Sequence, residues 1–94
     1  MGTVELNIAS LLAPGFGKKQ IELTESCTMF KFLEQWSNRY DPGLINRIFD
    51  PDTHRLREGI LIMINGKAVQ HPVAHNFLIN PGDVINIMPI LIGG

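Results

Sequence analysis

The carboxyl end of the chain carries the residues whose types and order are best suited to chemistry. The sequence ends in Gly93 and Gly94, which follow the apolar run Ile90-Leu91-Ile92. Glycine lacks a Cβ, so a terminal Gly-Gly can pass through a narrow channel and present its carboxylate to another protein's active site. The alternative is a frayed end, because chain termini are commonly disordered. The aliphatic run favours the first interpretation, since it suits docking in a partner's groove better than solvation.

The composition indicates one small domain whose partners are other proteins. The 94 residues, 45% of them hydrophobic, fit a single globular core. Eight lysines and arginines and nine aspartates and glutamates give a formal net charge of -1. Such a balanced charge argues against nucleic acid or an anionic membrane as a partner.

The cysteine content and the opening residues bear on where the protein works. A single cysteine, Cys27, excludes an internal disulfide framework and the four thiolates of an iron–sulfur cluster. Residues 1–5 lack the basic and apolar pattern of a signal peptide, and no apolar run is long enough to span a membrane. We therefore expect a cytoplasmic protein with no membrane partner.

The tail needs a scaffold, and the first half of the chain predicts a hairpin followed by helices. Apolar and polar residues alternate over residues 4–9 and 19–23, which predicts two strands joined by the glycine-containing loop at residues 14–17. Ile21 and Leu23 are expected to face the core.

A helix is predicted after the hairpin, with Thr28 as its N-cap and Asp41-Pro42-Gly43 as its end. A short second helix is predicted over residues 44–49. The apolar positions of the first helix are Met29, Phe32, Leu33, Trp36 and Tyr40.

The second half of the chain predicts further strands. Residues 60–64 form a continuous apolar run that enters the turn signal Asn65-Gly66, and residues 67–69 follow as a short partner strand. Pro81-Gly82-Asp83 is another turn, and residues 84–88 form a strand that leads to the tail. The element order predicts an α+β domain over residues 1–89, with one main helix packed across a sheet and a tail at 90–94.

Segments of this second half resemble the β-grasp, ubiquitin-like sulfur carriers of the MoaD/ThiS type. The resemblance lies in residues 62–67, residues 81–85, Met88-Pro89 and the terminal Gly93-Gly94. This family includes the small subunit of molybdopterin synthase and the thiamine-pathway sulfur carrier. It implies a mixed β-grasp sheet with a flexible Gly-Gly tail.

Two further features bear on which branch of that family the chain resembles. The additional stretch at residues 44–57 makes it more similar to the molybdopterin type. Ile90 and Ile92 differ from that type, whose tail often has a second proline and a smaller residue.

The resemblance implies that the terminal carboxylate is activated by a partner. A free carboxylate is ionised at cellular pH and is a poor electrophile. In the family, a ubiquitin-activating-type (MoeB/ThiF-like) adenylyltransferase uses ATP to form an acyl-adenylate, and sulfur then replaces AMP. The resulting thiocarboxylate, here at Gly94, would be directed onto a pterin precursor by the molybdopterin synthase large subunit. The chain would be a non-catalytic carrier subunit that binds no cofactor or metal.

The same resemblance implies roles along the tail. Gly94 would carry the sulfur, and Gly93 would let the backbone pass a constriction. Ile90, Leu91 and Ile92 would dock the tail on the partner, with Pro89 at its base, which makes all six residues candidate site residues.

The sequence leaves three other functions open. A ubiquitin-like modifier would join its terminal glycine to protein lysines after the same activation step. A thiamine-pathway sulfur carrier would send its sulfur elsewhere. A plain β-grasp interaction module would do no chemistry at its tail.

Three side-chain groups allow a functional and a structural interpretation. Cys27 could be a reactive thiol near a helix N-terminus, although lone cysteines are usually small buried hydrophobes. His71 and His75 have metal-ligand spacing, but Pro72 lies between them.

The third group is a set of basic residues, for which a solvated loop surface is the favoured interpretation over a basic patch. We expect Trp36 and the phenylalanines in the core. The basic residues are Lys18, Lys19, His54, Arg55 and Arg57.

Overall fold

The computed structural model describes residues 2–69 and 76–90. Within these residues the chain forms seven strands and two helices. The elements are β1 (Gly2–Ile8), β2 (Gly17–Leu23), β3 (Cys27–Thr28), α1 (Met29–Tyr40), α2 (Leu44–Ile48), β4 (Ile60–Ile64), β5 (Lys67–Ala68), β6 (Leu78–Ile79) and β7 (Val84–Pro89).

Five strands form one mixed sheet in the order β2-β1-β7-β4-β5. The β1–β7 pair is parallel, while β1–β2, β4–β7 and β4–β5 are antiparallel. The last strand of the sheet therefore lies in its centre, between the first hairpin and β4. β3 and β6 form a separate two-stranded sheet. This arrangement confirms the predicted α+β, β-grasp fold with one main helix.

One face of the five-stranded sheet is covered by the helices. Ile21 and Leu23 of β2 are partly buried against this core, as predicted. From α1, Met29, Phe32 and Leu33 join the same cluster, because helical spacing brings them to one side. The buried residues of the three inner strands are Val4, Leu6, Ile8, Ile60, Ile62, Ile64, Ile85 and Ile87.

Both helices begin and end close to where the sequence predicts. The Thr28 hydroxyl accepts a hydrogen bond from the Lys31 amide at 3.3 Å, which confirms it as the N-cap of α1. At the other end, the Asp41 amide donates to the Ser37 carbonyl at 2.7 Å. The four apolar residues expected to be buried around α2 are buried: Leu44, Ile45, Ile48 and Phe49.

Two features of the core differ from the prediction. Phe77, expected in the core, is 40% exposed. It lies just before the short strand β6 and is not part of the main sheet. Tyr40 is 48% exposed at the end of α1, where it stacks on Trp36. Ser37, in contrast, is buried, and its hydroxyl donates to the Glu34 carbonyl. A one-turn bond of this kind lets a hydroxyl lie in an apolar interface.

Neither β3 nor β6 was predicted. Each has two residues, which is too short for an alternating pattern to register. No helix in the described part of the chain is long and apolar enough to cross a membrane.

The two turn signals of the second half of the sequence meet in space. Asn65 and Gly66 both have positive φ, 53° and 84°, as a tight hairpin turn between β4 and β5 requires. The Asn65 side chain accepts from the Val84 amide at 2.9 Å and donates to the Asp83 carboxylate at 3.0 Å. The same carboxylate accepts from the Asn80 amide at 2.9 Å. These bonds fix where β7 begins relative to β4.

Asp83→Ala is expected to lower the free energy of unfolding by about 1–3 kcal/mol, because it removes two hydrogen bonds, each worth roughly 0.5–1.5 kcal/mol. Chemical denaturation measures the difference. Asp52→Ala is the matched control, since the Asp52 carboxylate makes no hydrogen bond within the described residues. Equal stability of the two variants would show that Asp83 does not hold the turn.

Candidate functional site at the base of the carboxyl-terminal tail

The tail leaves the domain from the central strand of the sheet. Pro89, the last residue of β7, lies opposite Ile60, the first residue of β4. Beyond it, the Ile90 amide donates to the Gly59 carbonyl at 2.6 Å. Gly59 has a φ of 83°, a conformation that strongly favours glycine and that turns the chain into β4. The start of the tail is therefore tied to the sheet by a main-chain hydrogen bond.

The structure shows part of the predicted site. Pro89 is half-buried, and Ile90 is 43% exposed. The remaining predicted residues, Leu91, Ile92, Gly93 and Gly94, lie outside the described residues. Their roles remain predictions.

The face of the sheet turned away from the helices carries an apolar strip that the sequence analysis missed. Leu61, Met63 and Met88 point to this face by strand alternation, and each is half-buried. Leu61 lies directly opposite Met88 across the β4–β7 pair. Continued alternation from Met88 places Ile90 on the same face. We call Leu61, Met63 and Met88 the open-face strip.

The signal for the strip was present in the sequence. The run Ile60–Ile64 is apolar at every position, which indicates a strand with two apolar faces. The structure covers one of these faces with the helices and leaves the other partly exposed to solvent. A strand with two apolar faces in a sheet covered on one side thus indicates a surface for a partner.

The other half of the open face is polar. On β1 and β2 it carries the Glu5 carboxylate, which accepts hydrogen bonds from the Asn7 amide group at 3.1 Å and from the Gln20 amide group at 3.2 Å. The face thus has a hydrogen-bonded polar half on β1–β2, while its β4–β7 half carries the open-face strip, with the polar Asn86 opposite Met63. The tail adjoins the β4–β7 half.

The surroundings of Cys27 disfavour ionisation of its thiol. Burial raises its pKa, and the nearby Glu25 carboxylate raises it further, while Lys31 partly offsets both effects. Since the thiolate is the reactive form, a raised pKa disfavours reaction. Cys27 also packs against the hydrophobic core from β3. These observations favour the structural interpretation of this residue.

Alkylation of Cys27 by iodoacetamide near pH 7.5 is expected to be slower than that of a free cysteine, because less thiolate is present. Raising the pH increases the rate until the thiol is fully ionised. Lys31→Gln is expected to slow the reaction, and Glu25→Gln to accelerate it, since the two charges act in opposite directions. A wild-type rate above that of free cysteine would contradict this assignment.

Metal binding finds no support in the described residues, which contain no group of three or more His, Cys, Asp or Glu side chains able to hold an ion. His71 and His75 lie outside those residues. His54 stacks on Phe30, with ring centroids 4.3 Å apart.

The basic residues have separate neighbours. The Lys19 ammonium lies over the rings of Phe16 and Tyr40, 5.3 Å from each centroid, while the Arg57 side chain donates to the Asn46 carbonyl. These local contacts fit the interpretation as a solvated surface.

A mixed sheet with a parallel β1–β7 pair, one main helix on one face and a central last strand defines a ubiquitin-like β-grasp protein. Solved structures share this fold. SAMP1 from Haloferax volcanii has a TM-score of 0.74 and 23% identity, with 99% of this chain and 100% of that chain covered. Urm1 from Trypanosoma brucei has a TM-score of 0.72 and 17% identity, covering 99% and 96%.

A third structure is similar at higher sequence identity. The small archaeal modifier protein 1 (SAMP1) from Methanosarcina acetivorans has a TM-score of 0.68 and 27% identity, with 100% of this chain and 98% of that chain covered. No curated protein sequence matches the chain significantly.

The sequence model of the ThiS family matches residues 7–94, which is nearly the whole chain. The protein therefore belongs to the ThiS family.

Proposed function

We propose that this protein is a sulfur carrier whose Gly94 carboxylate is adenylated and then converted to a thiocarboxylate. The observation that carries the proposal is the ThiS family match, which extends through the terminal Gly93-Gly94. The carboxylate attacks the α-phosphorus of ATP and releases pyrophosphate. A sulfide nucleophile then attacks the acyl carbon, AMP leaves, and Gly94 retains the sulfur.

The geometry fits a carrier whose catalytic groups belong to its partners. The hydrogen bond from Ile90 to Gly59 holds the start of the tail at a fixed point on the sheet. The open-face strip lies beside that point and supplies apolar area for a partner. The proposed first partner is a ubiquitin-activating-type adenylyltransferase, which binds the ATP and catalyses transfer of its AMP group to the Gly94 carboxylate. The carrier would bind no cofactor itself.

We assign the sulfur to molybdopterin synthesis, with the synthase large subunit as the second partner. The support is the similarity of the additional segment at residues 44–57 to the molybdopterin-type carriers. In the structure this segment includes α2, whose buried residues Leu44 and Ile48 make it part of the core. A thiamine-pathway carrier is the alternative within the same chemistry.

Incubation with ATP, the cognate adenylyltransferase and sulfide is expected to raise the intact mass by the difference between one sulfur and one oxygen, localised to Gly94. Intact-mass and fragment-mass spectrometry measure this change. A variant without Gly94 should keep its thermal stability and undergo no exchange at its new end. An unchanged wild-type mass, with an adenylyltransferase shown to be active on its own substrate, would contradict the sulfur-carrier proposal.

Docking through the open-face strip is tested by Leu61→Asp and Met88→Asp. Each is expected to raise the KM for the carrier in the adenylation reaction by about tenfold or more, since burying one aliphatic side chain is worth roughly 1.5–3 kcal/mol. Thr3→Asp, on the polar half of the same face, is the control with the same added charge. Thermal unfolding checks that all three variants are folded. An unchanged KM for both strip variants would exclude the strip as the docking surface.

Protein modification is the second candidate function. It is favoured by the structural match at 27% identity to a small archaeal modifier protein. A modifier shares the acyl-adenylate with the carrier, but its Gly94 then forms an amide with a lysine of another protein. Mass spectrometry of cell extracts distinguishes them, because the modifier leaves Gly94 attached to lysine side chains and the carrier leaves sulfur on the free protein.

A further inference from the structure

The two edges of the main sheet differ in length. One edge is β5, which has two residues, and the other is β2, which has seven. β2 pairs with β1 through seven consecutive residue pairs, so it contains no bulge, and it contains no proline. Among the described residues no strand pairs with its outer side. A long, regular edge of this kind is a template for another strand.

The hydrogen bonds of β1 show which groups of β2 point outward. The amides of Glu5 and Ala9 donate towards β7. The intervening residues Leu6 and Ile8 therefore direct their main-chain groups to β2, where they face Lys19 and Gly17. By the same alternation, the main-chain groups of β2 that point to solvent are those of Lys18, Gln20 and Glu22.

The side chains of these three residues are complementary to a second copy of themselves. Lys18 lies opposite Asn7, and Glu22 lies opposite Thr3, so neither charge faces an opposite charge across the β1–β2 pair. Neither forms an ion pair with any described residue. If two β2 strands pair in antiparallel orientation about Gln20, each Lys18 lies opposite Glu22 of the second copy.

We propose that the protein self-associates through β2, forming an isologous dimer whose two sheets join into one. Gln20 lies at the two-fold axis in this dimer. The residues with outward main-chain groups pair as Lys18 with Glu22, Gln20 with Gln20 and Glu22 with Lys18, which is the hydrogen-bonded register that an antiparallel pair requires. Lysines on an edge strand usually prevent pairing, but in this register Lys18 is neutralised by Glu22 of the second copy.

On the helix side of the sheet, the same register places Ile21 opposite Lys19 of the second copy and Leu23 opposite Gly17. Ile21 and Leu23 line a cavity of about 150 Å³ between β2 and α1, with Phe32 and Trp36. In the proposed pairing, Ile21 of each copy lies diagonally across the axis from its equivalent, within reach of a long side chain. The dimer thus covers apolar surface that the monomer leaves partly exposed.

The dimer leaves the candidate site free. β2 lies at one edge of the sheet, and β1 separates it from β7, which carries the tail. Each dimer would therefore present two tails and two open-face strips. The inference is independent of the sulfur chemistry, because it rests only on the β2 edge.

Sedimentation velocity of the full chain from micromolar to millimolar concentration tests the proposal, with a reductant present to prevent a disulfide through Cys27. We expect a concentration-dependent monomer–dimer equilibrium that high salt weakens. Lys18→Glu is expected to weaken the dimer by about tenfold or more, since both symmetry-related pairs become repulsive. The double variant Lys18→Glu with Glu22→Lys should restore it. Lys67→Glu on β5 makes the same charge change at the other edge and should have no effect.

A main-chain variant provides a second test. Gln20→Pro removes an outward amide at the two-fold axis, and this position tolerates proline because that amide does not bond to β1. It is expected to abolish the dimer, whereas Gln20→Ala retains it, and circular dichroism confirms that both are folded. A protein that is monomeric throughout would overturn the proposal. A dimer that neither Lys18→Glu nor Gln20→Pro weakens would also overturn it. The same holds if the β2 edge binds peptides of other proteins and the protein does not self-associate.

Discussion

The parallel pairing of β1 with β7 is the constraint on which the rest of the structure depends. It brings the last strand into the centre of the sheet, where β4 can pair with its other side. The pairing buries Ile85 and Ile87 beneath the helices and fixes the point from which the tail leaves. The tail therefore starts from a strand that is paired on both of its sides.

The same pairing explains why the sheet has two unequal faces. The helix-facing side is aliphatic along β1, β4 and β7, while the open side is polar on β1, mixed on β7 and apolar on β4. An apolar strip on an open face is unfavourable in an isolated domain, because its side chains remain partly hydrated. Because the strip lies beside Ile90, a partner that packs on it would also contact the start of the tail.

Much of the fold could be predicted from the sequence because local signals agree with the tertiary structure. Thr28 caps α1 as its type and position indicate, and the Asn65-Gly66 turn has the two positive φ angles that this dipeptide favours. The pairing of β7 with β1 could not be derived from periodicity, since strand order depends on contacts distant in sequence. The resemblance to a known family implied a mixed sheet without specifying this pair.

For the candidate site, the sequence predicts the tail residues, including Pro89 and Ile90, and these roles remain predictions. It did not indicate the open-face strip of Leu61, Met63 and Met88 beside them. A continuous apolar run such as Ile60–Ile64 gives no indication of which face is covered, because both faces have the same composition. The burial of Phe77 was also not predictable. It lies outside any periodic segment, so no pattern of neighbouring residues indicates whether its side chain is buried.

The β1–β7 pair also has a consequence for how the protein folds. It joins strands from opposite ends of the chain, so the closing contact spans most of the sequence and is slow to form. Before β7 inserts, β1 and β4 have no common neighbour, and the sheet is divided into two halves. The Gly59 carbonyl, which orients the start of the tail, lies on the β4 half. In a partly folded chain the start of the tail is therefore not held in its native direction. A partner that requires this direction would bind only fully folded molecules.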